Sequence, residues 1–245
     1  MNLIVLALAP VFIIAGYIYF RDKYDREPIA LLLKSLFLGA IITVPIVLME
    51  SVLSVFSPVN TLILKAFYDG FLVAAFTEEL WKFAAVYLLI WRNPAFNERF
   101  DGIVYAVFVS LGFASVENLL YVFDGGAGVA FSRAVTAVPA HALFGVTMGY
   151  YLAMAKFIPF RKQENLTKAL FVPLLFHGFY DFILMTGFNW LLFVFLPFLI
   201  YLWITGFKRM KMLSDVSRFN PANRAKSESE SLWKFKNNIF TDDEK

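Results

Sequence analysis

The sequence predicts an all-α, polytopic integral membrane bundle of about seven transmembrane helices. Three observations predict it. Of 245 residues, 60% are hydrophobic and only 17% charged, with 29 phenylalanines, whereas a soluble domain is about half apolar and a quarter charged. The apolar residues fall in long runs, each near the ~20 residues that carry a helix across ~30 Å of hydrocarbon. The basic residues gather in alternate connections, as the positive-inside rule requires. Helix is the only spanning choice, because each run must satisfy its own backbone groups and the alternation of a membrane β-barrel is absent.

The first run extends from Leu3 to Phe20. Ala7-Leu8-Ala9 looks like a signal-peptide cleavage site, but no basic segment precedes it and the apolar run continues past it. An uncleaved first helix is therefore expected. The second run covers Leu31 to Leu53, and the third covers Ala66 to Trp91 and ends at the turn-rich Arg92-Asn-Pro-Ala-Phe-Asn-Glu-Arg99. The fourth and fifth runs, Gly102 to Phe123 and Phe131 to Ala155, flank the glycine-rich Asp124–Gly128, which reads as a flexible loop. Gly145 and Gly149 give the fifth run a small face suited to close helix packing. The sixth run, Ala169 to Thr186, and the seventh, Trp190 to Phe207, form a tight pair.

With the N-terminus outside, the inner connections hold thirteen Lys and Arg residues and the outer ones only Lys65 and Arg133. The C-terminus is then cytoplasmic. Residues 1–207 are expected to form one membrane domain, and residues 208–245 a largely disordered basic and polar cytoplasmic tail. Within that tail, Leu232-Trp-Lys-Phe-Lys236 is a second reading, as a contact with the lipid surface. The chain has no cysteine, which excludes disulfides, thiolate metal sites and cysteine nucleophiles. Its net charge of +3, with no aromatic-basic patch in the membrane domain, gives nucleic acid no purchase.

Against this apolar background several polar residues are out of place. Glu78, Glu79 and Lys82 lie in the third run, Glu117 in the fourth, His141 in the fifth, and His177 with Asp181 in the sixth. A charged residue at mid-membrane costs about 2.5–3.5 kcal/mol. Five such groups cost on the order of ten kcal/mol or more before pairing, far beyond what a helix clamp requires. Lys82 is three and four residues from the two glutamates and can reach either. Adjacent glutamates point about 100° apart, so Glu79 is expected to pair with Lys82 while Glu78 faces a cavity. Asp181, one turn from His177, can fix its tautomer. Topology places these groups at roughly one depth, from four helices, as a buried site requires. A proton-coupled transporter or channel would use the same carboxylates as a relay.

Three ordered motifs carry a resemblance. Glu78-Glu79-Leu-Trp-Lys82 matches EExxK, Phe113-Ala-Ser-Val-Glu117 matches FxxxE, and His177-Gly-Phe-Tyr-Asp181 matches HxxxD. In this order on separate spans they resemble the PrsW family of intramembrane proteases, over about residues 66 to 190. That family is distantly similar to the CAAX prenyl endopeptidases and bacteriocin-processing enzymes of the Abi superfamily. The wider superfamily often has arginine one residue beyond Lys82, histidine at the position of Glu117 and asparagine at that of Asp181. The chain follows the PrsW branch and departs from CAAX-type chemistry.

The resemblance implies site-1 cleavage of a membrane-anchored anti-sigma factor in a bacterial cytoplasmic membrane. It implies Glu78, Glu79, Glu117, His177 and Asp181 as catalytic residues; Lys82, by its spacing to the glutamates, and His141, by its place in the fifth run, are expected to support them. Two chemistries remain open. A glutamate can activate water with no cofactor. Alternatively a divalent metal such as zinc, held by ligands from among His141, His177, Glu78, Glu117 and Asp181, can do so.

Overall fold

The structure, a computed structural model, describes residues 3–226. Among them there are helices and no strand. In chain order these are α1 (Leu3–Arg21), α2 (Ile29–Ser54), α3 (Leu62–Phe67), a π-helix (Tyr68–Phe76), α4 (Thr77–Ile90), α5 (Arg99–Val135), α6 (Ala137–Phe157), α7 (Lys162–Thr186) and α8 (Leu192–Asp215). The segment Leu232–Lys236 lies outside the described residues.

Five helical stretches are long and apolar enough, by length and composition, to cross a bilayer. The difference from seven has a physical reason. One stretch, Arg99–Phe157, has 59 residues, about 88 Å of helix, nearly three times the ~30 Å hydrocarbon core. It folds back on itself, since Gly149 and Gly145 of α6 lie against Gly102 and Ala106 of α5 in antiparallel register. It therefore supplies two passages. The run from α3 through α4 is as continuous as the others, but Glu78, Glu79 and Lys82 within it break its apolarity.

Local signals explain the helix ends. Thr61 accepts the Leu64 N–H at the start of α3, and Glu98 and Asp101 form a reciprocal capping box at the start of α5. Gly187 closes α7 at φ 64. Pro10, Pro45, Pro173 and Pro197 sit inside helices, where neighbouring helices support the freed backbone. The outward faces carry Phe12, Phe37, Leu88 and Phe193, all exposed, as a lipid-facing surface needs.

The first half of α5 is the central post, with Phe100 through Ala114 buried without a break. Such close packing depends on absent side chains, as is common between membrane helices. At Gly112, an added Cβ would stand 1.9 Å from the Leu36 carbonyl oxygen, and α2 backbone cannot yield cheaply. Gly112→Ala is expected to destabilise the fold by about 1–3 kcal/mol or more, read as a lower melting temperature in detergent.

At the end of the bundle away from Glu78, the α1–α2 connection and the start of α5 share a carboxylate cluster. Asp22 accepts the Glu27 N–H at 3.2 Å, Tyr105 donates to Glu27, and Asp101 accepts the Asn97 and Glu98 N–H groups at 2.8 and 2.7 Å. Ser217, just past α8, donates to Glu98, and Arg218 donates to Asn97 at 3.2 Å. Residues 208–218 are thus the last turns of α8 and a short segment docked on this cluster.

Burial, reinforced by the Asp101 carboxyl, pushes Asp22 up from 3.8 to about 7. Burial also pushes Glu27 up from 4.5 to about 7, against the Tyr105 hydrogen bond. Acids whose folded values lie above their unfolded ones hold extra protons in the native state, so stability falls as pH rises. The contribution is complete below about 4 and lost by about 7. Melting temperature is expected to fall between pH 5 and pH 8, with a shallower slope in Asp22→Asn and Glu27→Gln variants.

Candidate active site

The site is built on a distorted helix. The nine residues Tyr68–Phe76 are π-helical and run directly into Thr77-Glu78-Glu79. Such wide turns cluster at functional sites. Thr77 donates back to the carbonyls of Val73 and Ala74, which anchors the switch from π to α. Helix α7 packs against this π segment. A Cβ on Gly70 would meet the Phe182 backbone nitrogen at 3.0 Å, and one on Gly178 would meet the Phe71 ring at 2.3 Å. This close approach presses His177 against Glu79.

Lys82 is the hub. Its ammonium is fully buried and lies 2.8 Å from Glu78 Oε2, 3.0 Å from Glu79 Oε1 and 3.3 Å from His141 Nδ1. It also sits 4.1 Å from the centre of the Phe113 ring. The expected exclusive pair of Lys82 with Glu79 is not seen, because one ammonium has three protons and the helix brings both glutamates within its reach. Glu78 lines the cavity and Glu79 lies behind it, fully buried.

The two histidines are held alike. His141 faces Glu117 through Nε2 at 2.9 Å and turns Nδ1 inward to Lys82. His177 faces Asp181 through Nε2 at 3.2 Å and turns Nδ1 inward to Glu79 at 2.9 Å. Phe144 stacks on His177 at 4.9 Å, and Phe113 meets His141 edge-on at 5.5 Å. Each imidazole is thus fixed by a wall and an outer carboxylate, the arrangement that orients metal-ligating histidines.

Donor atoms of Glu78, Glu79, His141 and His177 all lie within 4.8 Å of one another, and these four buried residues could hold a metal ion. The chemistry of the set fits. Nitrogen and carboxylate donors in this combination suit zinc and similar ions. Glu79 Oε2 is buried without a hydrogen-bond partner, an orphan that a cation would satisfy. Glu117 and Asp181 stand one step out, each bound to a histidine, while Glu79 joins the inner set.

A cavity of about 720 Å³ opens onto these groups, lined among others by Glu50, Glu78, Glu117, Arg133, His177 and Asp181. Glu50 and Arg133 are absent from the motifs. Glu50 is the only acidic residue in the second apolar run, and that was its signal. Arg133 reads in the sequence as an outer-connection charge, yet its Nη2 lies 2.6 Å from Glu117 Oε2. The polar groups gather in one cluster, as catalysis needs, where a relay would string them across the bilayer.

The family model for the PrsW family intramembrane metalloproteases matches residues 27–205. The chain belongs to the PrsW family. It is 39% identical to Protease PrsW of Oceanobacillus iheyensis over 213 residues, which is 87% of this chain and 96% of that protein. It is also 39% identical to Protease PrsW of Bacillus subtilis over 211 residues, 86% of this chain and 94% of that protein. Protease PrsW of Clostridioides difficile is 35% identical over 227 residues, 89% and 94% of the two chains. No solved structure matches the chain. As a PrsW protein it is a membrane-embedded peptidase, whose substrates are membrane proteins reached within the bilayer. The family match also covers α2 and most of α8, well beyond the span of the three motifs.

Proposed function

We propose that this protein makes the first, site-1 cut in a membrane-anchored anti-sigma factor, using a divalent metal, zinc by its donor set, held among Glu79, His141 and His177, with Glu78 as general base. The observation that carries the reading is the inward convergence of two carboxylate-braced histidines on a buried glutamate pair at the wall of a cavity. Six carboxyl groups (Glu50, Asp69, Glu78, Glu79, Glu117 and Asp181) meet three permanent cations, Lys65, Lys82 and Arg133, around the cavity and the donors behind it. That imbalance favours a bound cation.

When bound, the ion supplies Lewis-acid polarisation of the scissile carbonyl and makes water acidic enough to lose a proton near neutral pH. The chain's own residues do the rest. Glu78 is the glutamate of the pair that lines the cavity, so it is placed to take the water proton and return it to the leaving amine. Lys82 holds the two glutamates in register. Glu117 and Asp181 orient the two histidines through their outer nitrogens, and a bound ion would take the place of the contacts that the inner nitrogens make with Lys82 and Glu79. The lipid-exposed outer faces keep bulk water away from the cluster.

The positive-inside bias supports a bacterial cytoplasmic membrane protein with its N-terminus outside and its C-terminus in the cytoplasm. The test is co-reconstitution in liposomes with a single-pass anti-sigma factor. A truncated anchored fragment is expected, absent with Glu78→Gln. An anti-sigma factor left intact by wild-type protein that cleaves another anchored substrate would reject the substrate assignment.

A further inference from the structure

The sequence places Arg133 in a connection, sixteen residues from Glu117. Along one straight helix that separation is about 24 Å, yet the two side chains are 2.6 Å apart. The chain closes the gap at Gly126, where φ is 72 and ψ −161, a conformation essentially confined to glycine. The helical segment after Gly126 returns over the turn it has just left, and Arg133 lands on three groups of that turn. Its Nη2 donates to Glu117, its Nε donates to Asn118 Oδ1 at 2.8 Å, and its guanidinium lies 4.1 Å from the centre of the Tyr121 ring. Asn118 in turn donates to the Ala7 carbonyl of α1 at 2.7 Å. The guanidinium is therefore fixed on two edges and one face, a geometry that lysine cannot copy.

We infer that Arg133 is a positioning residue of the metal centre, acting through Glu117 to hold the His141 ring with Nδ1 turned inward. The inference rests on the metal-dependent reading above. Glu117 Oε2 is the shared atom, since it accepts from both Arg133 Nη2 and His141 Nε2. Glu117 lies at the cavity wall. Without the arginine its carboxylate is free to turn toward that space and release the imidazole. Outer partners of this kind typically change metal affinity or activity by about 10–100-fold when removed.

The experiment uses the full chain in detergent, stripped with chelator and titrated with Co²⁺, whose visible absorption reports coordination. Cleavage of an anchored substrate and melting of the metal-free protein are followed in parallel. Arg133→Met is expected to weaken Co²⁺ binding by about 10–100-fold, to lower kcat with KM unchanged, and to lower the metal-free melting temperature by less than Lys82→Met does. Arg133→Lys keeps the charge without the fork and is expected to fold and to lose less. Wild-type Co²⁺ affinity in both variants would overturn the inference. So would a raised KM at unchanged kcat, which would make Arg133 a substrate contact. Absence of Co²⁺ binding in wild type itself would instead overturn the metal reading, and the inference with it.

Discussion

Glu78→Gln is expected to lower kcat for cleavage of an anchored substrate by about 10²–10⁴-fold, while the protein still folds and KM changes little. Glutamine has nearly the same shape as glutamate. Its carbonyl oxygen can still accept from Lys82, which lies 2.8 Å from Glu78 Oε2, so the hub of the site survives. Glutamine cannot take a proton from water, and Glu78 lines the cavity whereas Glu79 lies behind it. A Glu78→Gln variant that retained cleavage within a few-fold of wild type would remove Glu78 from the base role. Single-turnover cleavage in liposomes separates this loss from slow product release.

Lys82→Met is expected to destabilise the metal-free protein by about 3–5 kcal/mol. Methionine fills the space of the lysine stem, so little packing is lost. What disappears is the buried ammonium at 2.8 and 3.0 Å from Glu78 and Glu79. Breaking a buried pair by removing one partner leaves charge without compensation. A divalent ion that binds only the folded state should return part of the lost stability through mass action. The melting temperature of the chelated variant should therefore fall well below that of wild type and rise again when the ion is restored. An unchanged melting temperature would mean that the glutamates do not depend on Lys82.

The helices and most of the site were legible because a membrane makes polar residues conspicuous. Long apolar runs fixed the helical class, and Glu78, Lys82, Glu117, His141 and His177 stood out against them. The i,i+4 spacings of Glu78 with Lys82 and of His177 with Asp181 foretold two contacts directly. Contacts between distant segments could not be read this way. His177 meets Glu79 across 98 residues, and His141 meets Lys82 across 59. His141, with no partner nearby in sequence, gave no sign of its bond to Glu117. Arg133 was hidden for another reason. A glycine-rich stretch reads as a loop, and only the fold-back at Gly126 turns it into the element that brings the arginine home. The π-helical segment before Glu78 has no periodicity that sets it apart from an α-helix in sequence.

If the histidines and glutamates of α4, α6 and α7 form a hydrolytic metal centre, as we propose, bound metal and cleavage must rise and fall together. Metal content and cleavage measured on one purified, reconstituted sample test it most directly. A single bound divalent ion per chain is expected, with loss of cleavage when chelator removes it and recovery when zinc is restored. Full cleavage by a sample shown to contain no metal would contradict the proposal.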